Sequence, residues 1–231
     1  MELNVVQIMA IYAIPLIFAI TIHEAAHGYA AKHFGDSTAY SQGRVSLNPL
    51  RHIDPVGTVV LPLVLLALSK FIGGGFIFGW AKPVPVNFAQ LRQPKRDMLW
   101  VAAAGPAANL VMAFFWAVMV KLGLSEMMGG LSLPLALMGA AGVMVNMVLM
   151  ILNLLPIPPL DGGRIVFSLL PHRQAYQFAR VEPYGIMIVM FLMFTHLLDH
   201  VMWPLVSLSI SGLAYGLGVS LSDLYKLLSL L

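Results

Sequence analysis

Apolar positions fill long stretches of this chain, and the lengths of those stretches are the first guide to its fold. From Val5 to Ile22 only Gln7, Thr21 and little else are polar, and the run continues to His33. Met98 to Val120 and Leu133 to Ile157 read the same way, and a longer region from Gly185 to Ser222 follows near the C-terminus. Each reaches the roughly 17–25 residues that a bilayer-spanning helix needs. The pattern predicts an all-α integral membrane protein with about four to six transmembrane helices.

Two polar interruptions divide these runs. Residues 34–54 (FGDSTAYSQGRVSLNPLRHID) are turn-rich, and residues 79–97 (GWAKPVPVNFAQLRQPKRD) hold three prolines and four of the thirteen basic residues. Both read as membrane-surface loops. Between them the apolar core from Val56 to Leu68 is short, contains Pro62, and runs into Lys70 and a glycine triplet. It is either one short span or a re-entrant dip between the first helix and the next full span.

Basic residues discriminate between the two, because Lys and Arg concentrate on the cytoplasmic side. A single crossing at 56–79 leaves four basic residues on one face and eight on the other. A dip places eleven on one face against Lys121 alone, with Lys226 unassigned. The more polarised arrangement is preferred, which puts the N-terminus outside and the end of the first helix near the cytoplasm. Because the chain opens MELN, without Lys or Arg, and no small-residue cleavage site ends the first run, that run is expected to be retained rather than removed as a signal peptide.

Composition narrows the classes further. The chain is 59% hydrophobic and 10% charged, with a mean hydropathy of +0.85, against about 45–50% and about 25% in soluble domains. There is no cysteine, which excludes thiol chemistry and cysteine metal sites. A net charge of +3, spread along the chain, gives nucleic-acid binding no support.

Against this background HEAAH at 23–27 stands out. On a helix His23 and His27 project from one face, where two imidazoles can share a Zn²⁺ while Glu24 serves as general base for its water. The alternative is a polar helix end at the headgroups, but ionisable groups at membrane depth are costly and normally face a cavity or a partner. A catalytic zinc site needs a third protein ligand. Asp36, Asp54, Asp97, Glu126 and Glu182 lie in loops, whereas Asp161, in NLLPIPPLDGGRI, follows an apolar helix. Pro156, Pro158 and Pro159 break that helix before it, and Gly162 and Gly163 follow. Unwound backbone at this depth is tolerated where it lines a cavity or is buried in protein. An ordinary helix-terminating turn at the interface is the competing reading.

HEAAH, AAAGPAANL (102–110) and NLLPIPPLDGG (153–163), in that order and with N-x₇-D spacing, together resemble the site-2 protease family of intramembrane zinc metalloproteases. With LNPLRHIDPVGT (47–58) and GWAKPVPVN (79–87), roughly the first 185 residues are similar to its compact bacterial and archaeal branch, which has only the membrane core. Only KLGLSEMMGGLSL (121–133) separates the GPAAN and LDG spans, too little for a PDZ domain. The resemblance implies one zinc per chain held by His23, His27 and Asp161, with Glu24 as catalytic base. It implies that Asn153 contacts the substrate or the developing oxyanion, and that Asn109 serves packing or substrate alignment. The expected organisation is one membrane-embedded unit over 1–231, with 1–183 as catalytic core and 184–231 as C-terminal helices. The expected partners are the bilayer, a transmembrane protein or peptide substrate cleaved in or near its span, and a regulatory membrane partner. The expected location is a prokaryotic cytoplasmic membrane, with the active site toward the cytoplasm.

Other polar residues take plainer readings. His196 and His200, with Asp199 between them, form a polar helix end more readily than a second metal site. His52, near Asp54, gates the site or hydrogen-bonds its loop. His33 and His172 are surface residues. A metal-transport path through His23, His27 and Asp161 would need polar residues in the outer half of the membrane, which is almost bare of them. An inactive scaffold homologue is disfavoured because every residue the chemistry requires is present.

Overall fold

The computed structural model describes residues 3–60, 64 and 81–231. Helix α1 (Val5–His33) starts at a capping box in which Asn4 and Gln7 exchange backbone-to-side-chain hydrogen bonds of 2.9 Å. Lys32 and His33 occupy its last turn, where cations suit the negative end of the helix dipole. The polar segment after it contains the short helix α2 (Thr38–Ser41) and a 3₁₀ turn at Pro49–Arg51. A π-helical turn begins at Pro55–Val60. Beyond it, the dip expected over 56–79 lies largely outside the described residues.

Helix α3 (Pro94–Gly123) begins four residues earlier than the apolar run alone suggests. Pro94 sits in its first turn, where the missing N–H has no helical partner to lose, and Asp97 Oδ2 accepts from Gln93 N–H at 2.7 Å. There follow α4 (Ser132–Leu154), α5 (Asp161–Leu169), α6 (His172–Ala179), α7 (Glu182–Phe194), α8 (Leu197–Leu217) and α9 (Leu221–Ser229). The described residues contain no strand. Among the described residues four helices are long and apolar enough to cross a bilayer: Val6–His33, Pro94–Gly123, Gly129–Leu154 and Leu197–Leu217. Helices α6 and α7, bent by 61°, make a fifth if they act as one span. The protein is a multi-pass all-α membrane protein.

The C-terminal apolar region does not run on as one helix. His196 adopts the left-handed conformation at φ 58, and this residue separates α7 from α8. Its Nδ1 lies 2.8 Å from Asp199 Oδ2, and His200 Nδ1 donates to His196 O at 3.0 Å. These side chains are exposed and stand apart from the metal-ligating group described below.

Helix α1 packs on α3 and α4, the most closely paired helices. A Cβ on Gly139 would stand 2.7 Å from Val120 N, and one on Gly142 would collide with the Trp116 ring, 2.2 Å from its Cγ. In lipid, where apolar burial between helices gains little over lipid contact, such close backbone approach is what holds helices together. Val206 and Ile210 of α8 and Leu224 of α9 join Trp116 and Met147 in one buried cluster. Helix α5 lies against α3, tied at its C-terminal end by Lys95 Nζ, which donates to Leu170 O. Its other end therefore arrives beside α1.

Candidate metal centre

That arrival brings Asp161 to His23 and His27. Asp161 Oδ2 lies 3.2 Å from His23 Nε2 and 3.3 Å from His27 Nε2, and the two Nε2 atoms are 3.1 Å apart. The three residues are 6–8% exposed. They are the one such group among the described residues able to offer three ligand atoms to a single ion.

The protons around this triangle show what it is built for. His23 Nδ1 lies 2.6 Å from Asn109 Oδ1, and His27 Nδ1 lies 2.7 Å from Val101 O. Both oxygens accept, so both Nδ1 atoms carry the proton, and in a neutral imidazole the Nε2 atom is then a bare lone pair. Asp161 Oδ2 is buried without a hydrogen-bond donor. Two imidazole lone pairs and a carboxylate oxygen therefore converge with no hydrogen between them, an arrangement that repels itself unless a cation sits at its centre. Tetrahedral zinc, with bonds of about 2.0–2.1 Å, holds its ligands about 3.4 Å apart, close to the spacing here. The donor set of two neutral imidazoles and one carboxylate leaves a fourth position for water, the pattern of catalytic zinc.

Two close backbone approaches give the three side chains their places. A Cβ on Gly105 of α3 would stand 2.6 Å from His23 Nε2 and closer still to His27 Nε2, so only glycine leaves room for both rings. Helix α4 stops at Leu154 because Pro156 cannot continue it, and α5 restarts with Asp161 as its first residue. Gly162 sets the first turn of α5 directly on the carbonyls of Leu154 and Leu155, where a side chain would collide with them.

Glu24 lies on the same turn of α1, half-buried, and its Oε2 accepts from Val84 N–H at 2.8 Å. Val84 belongs to segment 81–87, which is neither helix nor strand and is itself pinned by Lys82 N to His52 O and by Asn87 N to Asp36 Oδ2. Asn153, in the last turn of α4, donates its Nδ2 to Leu149 O at 3.0 Å and makes no hydrogen bond to the triad. Asn109 stands behind His23 rather than in an open cleft. His52 is buried, with Nε2 donating to Ser46 O at 2.8 Å, a loop-organising role. Sequence reasoning passed over Asn146, whose Oδ1 accepts from Asn109 Nδ2 at 3.0 Å. A lone amide in the middle of the apolar run from Leu133 to Leu152 was the signal for it.

Residues 128–196, which include α4, α5 and the loop between them, match Peptidase family M50. Over 204 residues the chain is 37% identical to "Putative zinc metalloprotease YwhC" of Bacillus subtilis, covering 87% of this chain and 88% of that protein. Over 192 residues it is 32% identical to "Putative zinc metalloprotease Rip2" of Mycolicibacterium smegmatis, covering 82% and 69%. No solved structure gives a significant match. Helical membrane architecture, a three-donor group fit for zinc and these similarities define a membrane zinc metalloprotease. The chain belongs to peptidase family M50, the site-2 proteases.

Proposed function

We propose that this zinc metalloprotease is an intramembrane endopeptidase that cuts peptide bonds in or near the transmembrane segments of other membrane proteins, with His23, His27 and Asp161 as its zinc ligands. The observation that carries the reading is the buried triangle of donors on helices long enough to cross the bilayer. His23 lies ten residues before the end of α1. At 1.5 Å per residue that is about 15 Å inside the helix terminus, within reach of a hydrocarbon core about 30 Å thick. The excess of basic residues around that terminus supports a site that faces the cytoplasm, in what we take to be a prokaryotic inner membrane. The whole chain acts as one unit, residues 1–183 carrying the catalytic groups and 184–231 supporting them.

Zinc, when bound, supplies the Lewis acid for the scissile carbonyl and lowers the pKa of its water. Glu24 takes the water proton and returns it to the leaving amine nitrogen. The Val84 N–H fixes one of its carboxylate oxygens, which leaves the other for proton transfer. Asn153 releases Leu149 O and turns its Nδ2 toward the oxyanion. A substrate helix has its backbone paired internally, so it unwinds before cleavage. The loop between α4 and α5 is folded into turns closed by Ile157 N–H to Leu155 O and Leu160 N–H to Ile157 O, and so is not the extended edge that strand addition to the unwound segment requires. Substrate selection falls to a regulatory membrane partner or to the membrane core itself.

The test is cleavage of a transmembrane peptide reconstituted with the protein in liposomes, with a water-soluble peptide of the same cleavage sequence alongside. Wild type is expected to cut the membrane-inserted peptide. Glu24→Gln should retain zinc and lose cleavage, and Asp161→Ala should lose zinc. A zinc-loaded wild type that cuts only the soluble peptide would overturn the intramembrane reading.

A further inference from the structure

The two histidines are oriented by different means. His27 is held by a main-chain carbonyl, Val101 O, which no side-chain substitution removes. His23 is held by a side chain, Asn109, fully buried between α1, α3 and α4. What fixes that amide can be followed bond by bond.

Asn146 Nδ2 donates to Gly142 O at 2.8 Å, and a carbonyl can only accept. This turns Asn146 Oδ1 toward α3, where it accepts from Asn109 Nδ2 at 3.0 Å. The same Asn109 nitrogen reaches Ala19 O, one turn before His23 on α1, at 3.3 Å. Both hydrogens of the Asn109 amide are then committed, so its oxygen must face His23 Nδ1, as found at 2.6 Å. Each bond leaves one orientation for the next, and the sequence begins at a backbone carbonyl of α4 and ends at the imidazole.

We propose that Asn109 and Asn146 are positioning residues of the metal centre, a buried amide relay that locks His23 in the Nδ1-protonated tautomer with its Nε2 lone pair toward Asp161 and His27. The proposal rests on the reading of His23 as a zinc ligand. Its physical basis is general: a metal-bound histidine needs its second nitrogen hydrogen-bonded, and loss of that partner weakens metal affinity by about 10–100-fold. The relay also ties ligand geometry to the packing of three membrane helices, because its members come from α1, α3 and α4. Two buried amides that merely glued helices together would account for the Asn109–Asn146 bond. They would not require the bond from Asn109 to the imidazole.

The experiment measures zinc dissociation constants by chelator competition on the full-length protein in detergent, with the thermal midpoint of the metal-free form measured in parallel. Wild type, Asn109→Leu, Asn146→Leu and His23→Ala are compared, and Co²⁺-substituted samples are examined for their visible ligand-field bands. Asn109→Leu should weaken zinc by about 10–100-fold and shift the Co²⁺ bands, even at saturating metal. Asn146→Leu should weaken it less, since Asn109 keeps Ala19 O. Zinc affinity and Co²⁺ bands equal to wild type in Asn109→Leu would overturn the relay, whatever happens to the melting midpoint. If Asn109→Leu does not fold, Asn146→Leu decides alone, unchanged affinity and bands overturning the proposal. Failure of the underlying reading shows separately, as a His23→Ala variant that binds zinc like wild type.

Discussion

Replacing Gly105 by alanine tests the centre through a single methyl group. The new Cβ would stand 2.6 Å from Cε1 and Nε2 of His23, whereas ordinary contact begins near 3.4 Å. The ring must therefore retreat by about 0.8 Å, several times the roughly 0.2 Å by which metal–ligand distances vary in sound sites. Its retreat is opposed by Asn109 behind Nδ1, and that of His27 by Val101 O. A misplacement of about 1 Å costs on the order of 100-fold in rate, equivalent to about 2.7 kcal/mol of transition-state stabilisation. Helix propensity runs the other way, alanine being better than glycine in a helix interior by about 0.8–1.0 kcal/mol, so α3 should form normally. Gly105→Ala should therefore purify as a helical protein with reduced zinc content and cleavage down about 100-fold. Elemental analysis, circular dichroism and the liposome cleavage assay measure the three quantities. Full zinc content together with wild-type cleavage would show that the ion is not held between these rings.

Three further outcomes follow from the same geometry. Asn153→Ala should keep its zinc and its fold while kcat falls by about 10²–10³, the loss expected for one oxyanion donor; an unchanged kcat would remove Asn153 from the reaction. Gly142→Ala pushes a methyl into the Trp116 ring, and overpacking of this kind should destabilise the α3–α4 pair by about 1–3 kcal/mol, read as a lowered thermal midpoint. Removal of the metal by a strong chelator should abolish cleavage, and zinc should restore it; cleavage that survives verified metal removal would contradict zinc catalysis.

Much of the architecture was legible because membrane solvent makes it so. Long apolar runs have few alternatives to helices in lipid, and α1 ends at His33, as its run does. Capping residues sharpen such boundaries: Pro94 and Asp97 moved the start of α3 ahead of Met98. His23, His27 and Asp161 were legible as chemistry because charge at membrane depth is costly, and the fold brings them together. The polar residues His196, Asp199 and His200 marked a helix end, and one helix stops at Phe194 there; only the left-handed turn at His196 left no mark in the sequence. Gly105 looked like any small residue of a packing stripe, and its significance depends on which helix faces it. Asn109 read as packing or substrate alignment for the same reason: the imidazole it holds lies 86 residues away in sequence.

The most direct test of the central claim is zinc K-edge X-ray absorption on the purified protein, wild type beside Asp161→Ala. Two imidazole nitrogens and oxygen ligands at about 2.0–2.1 Å are expected in wild type, with zinc content falling sharply when Asp161 is removed. A zinc shell and content identical in the two proteins would mean that the ion is bound elsewhere, and that the buried triangle is not the metal centre.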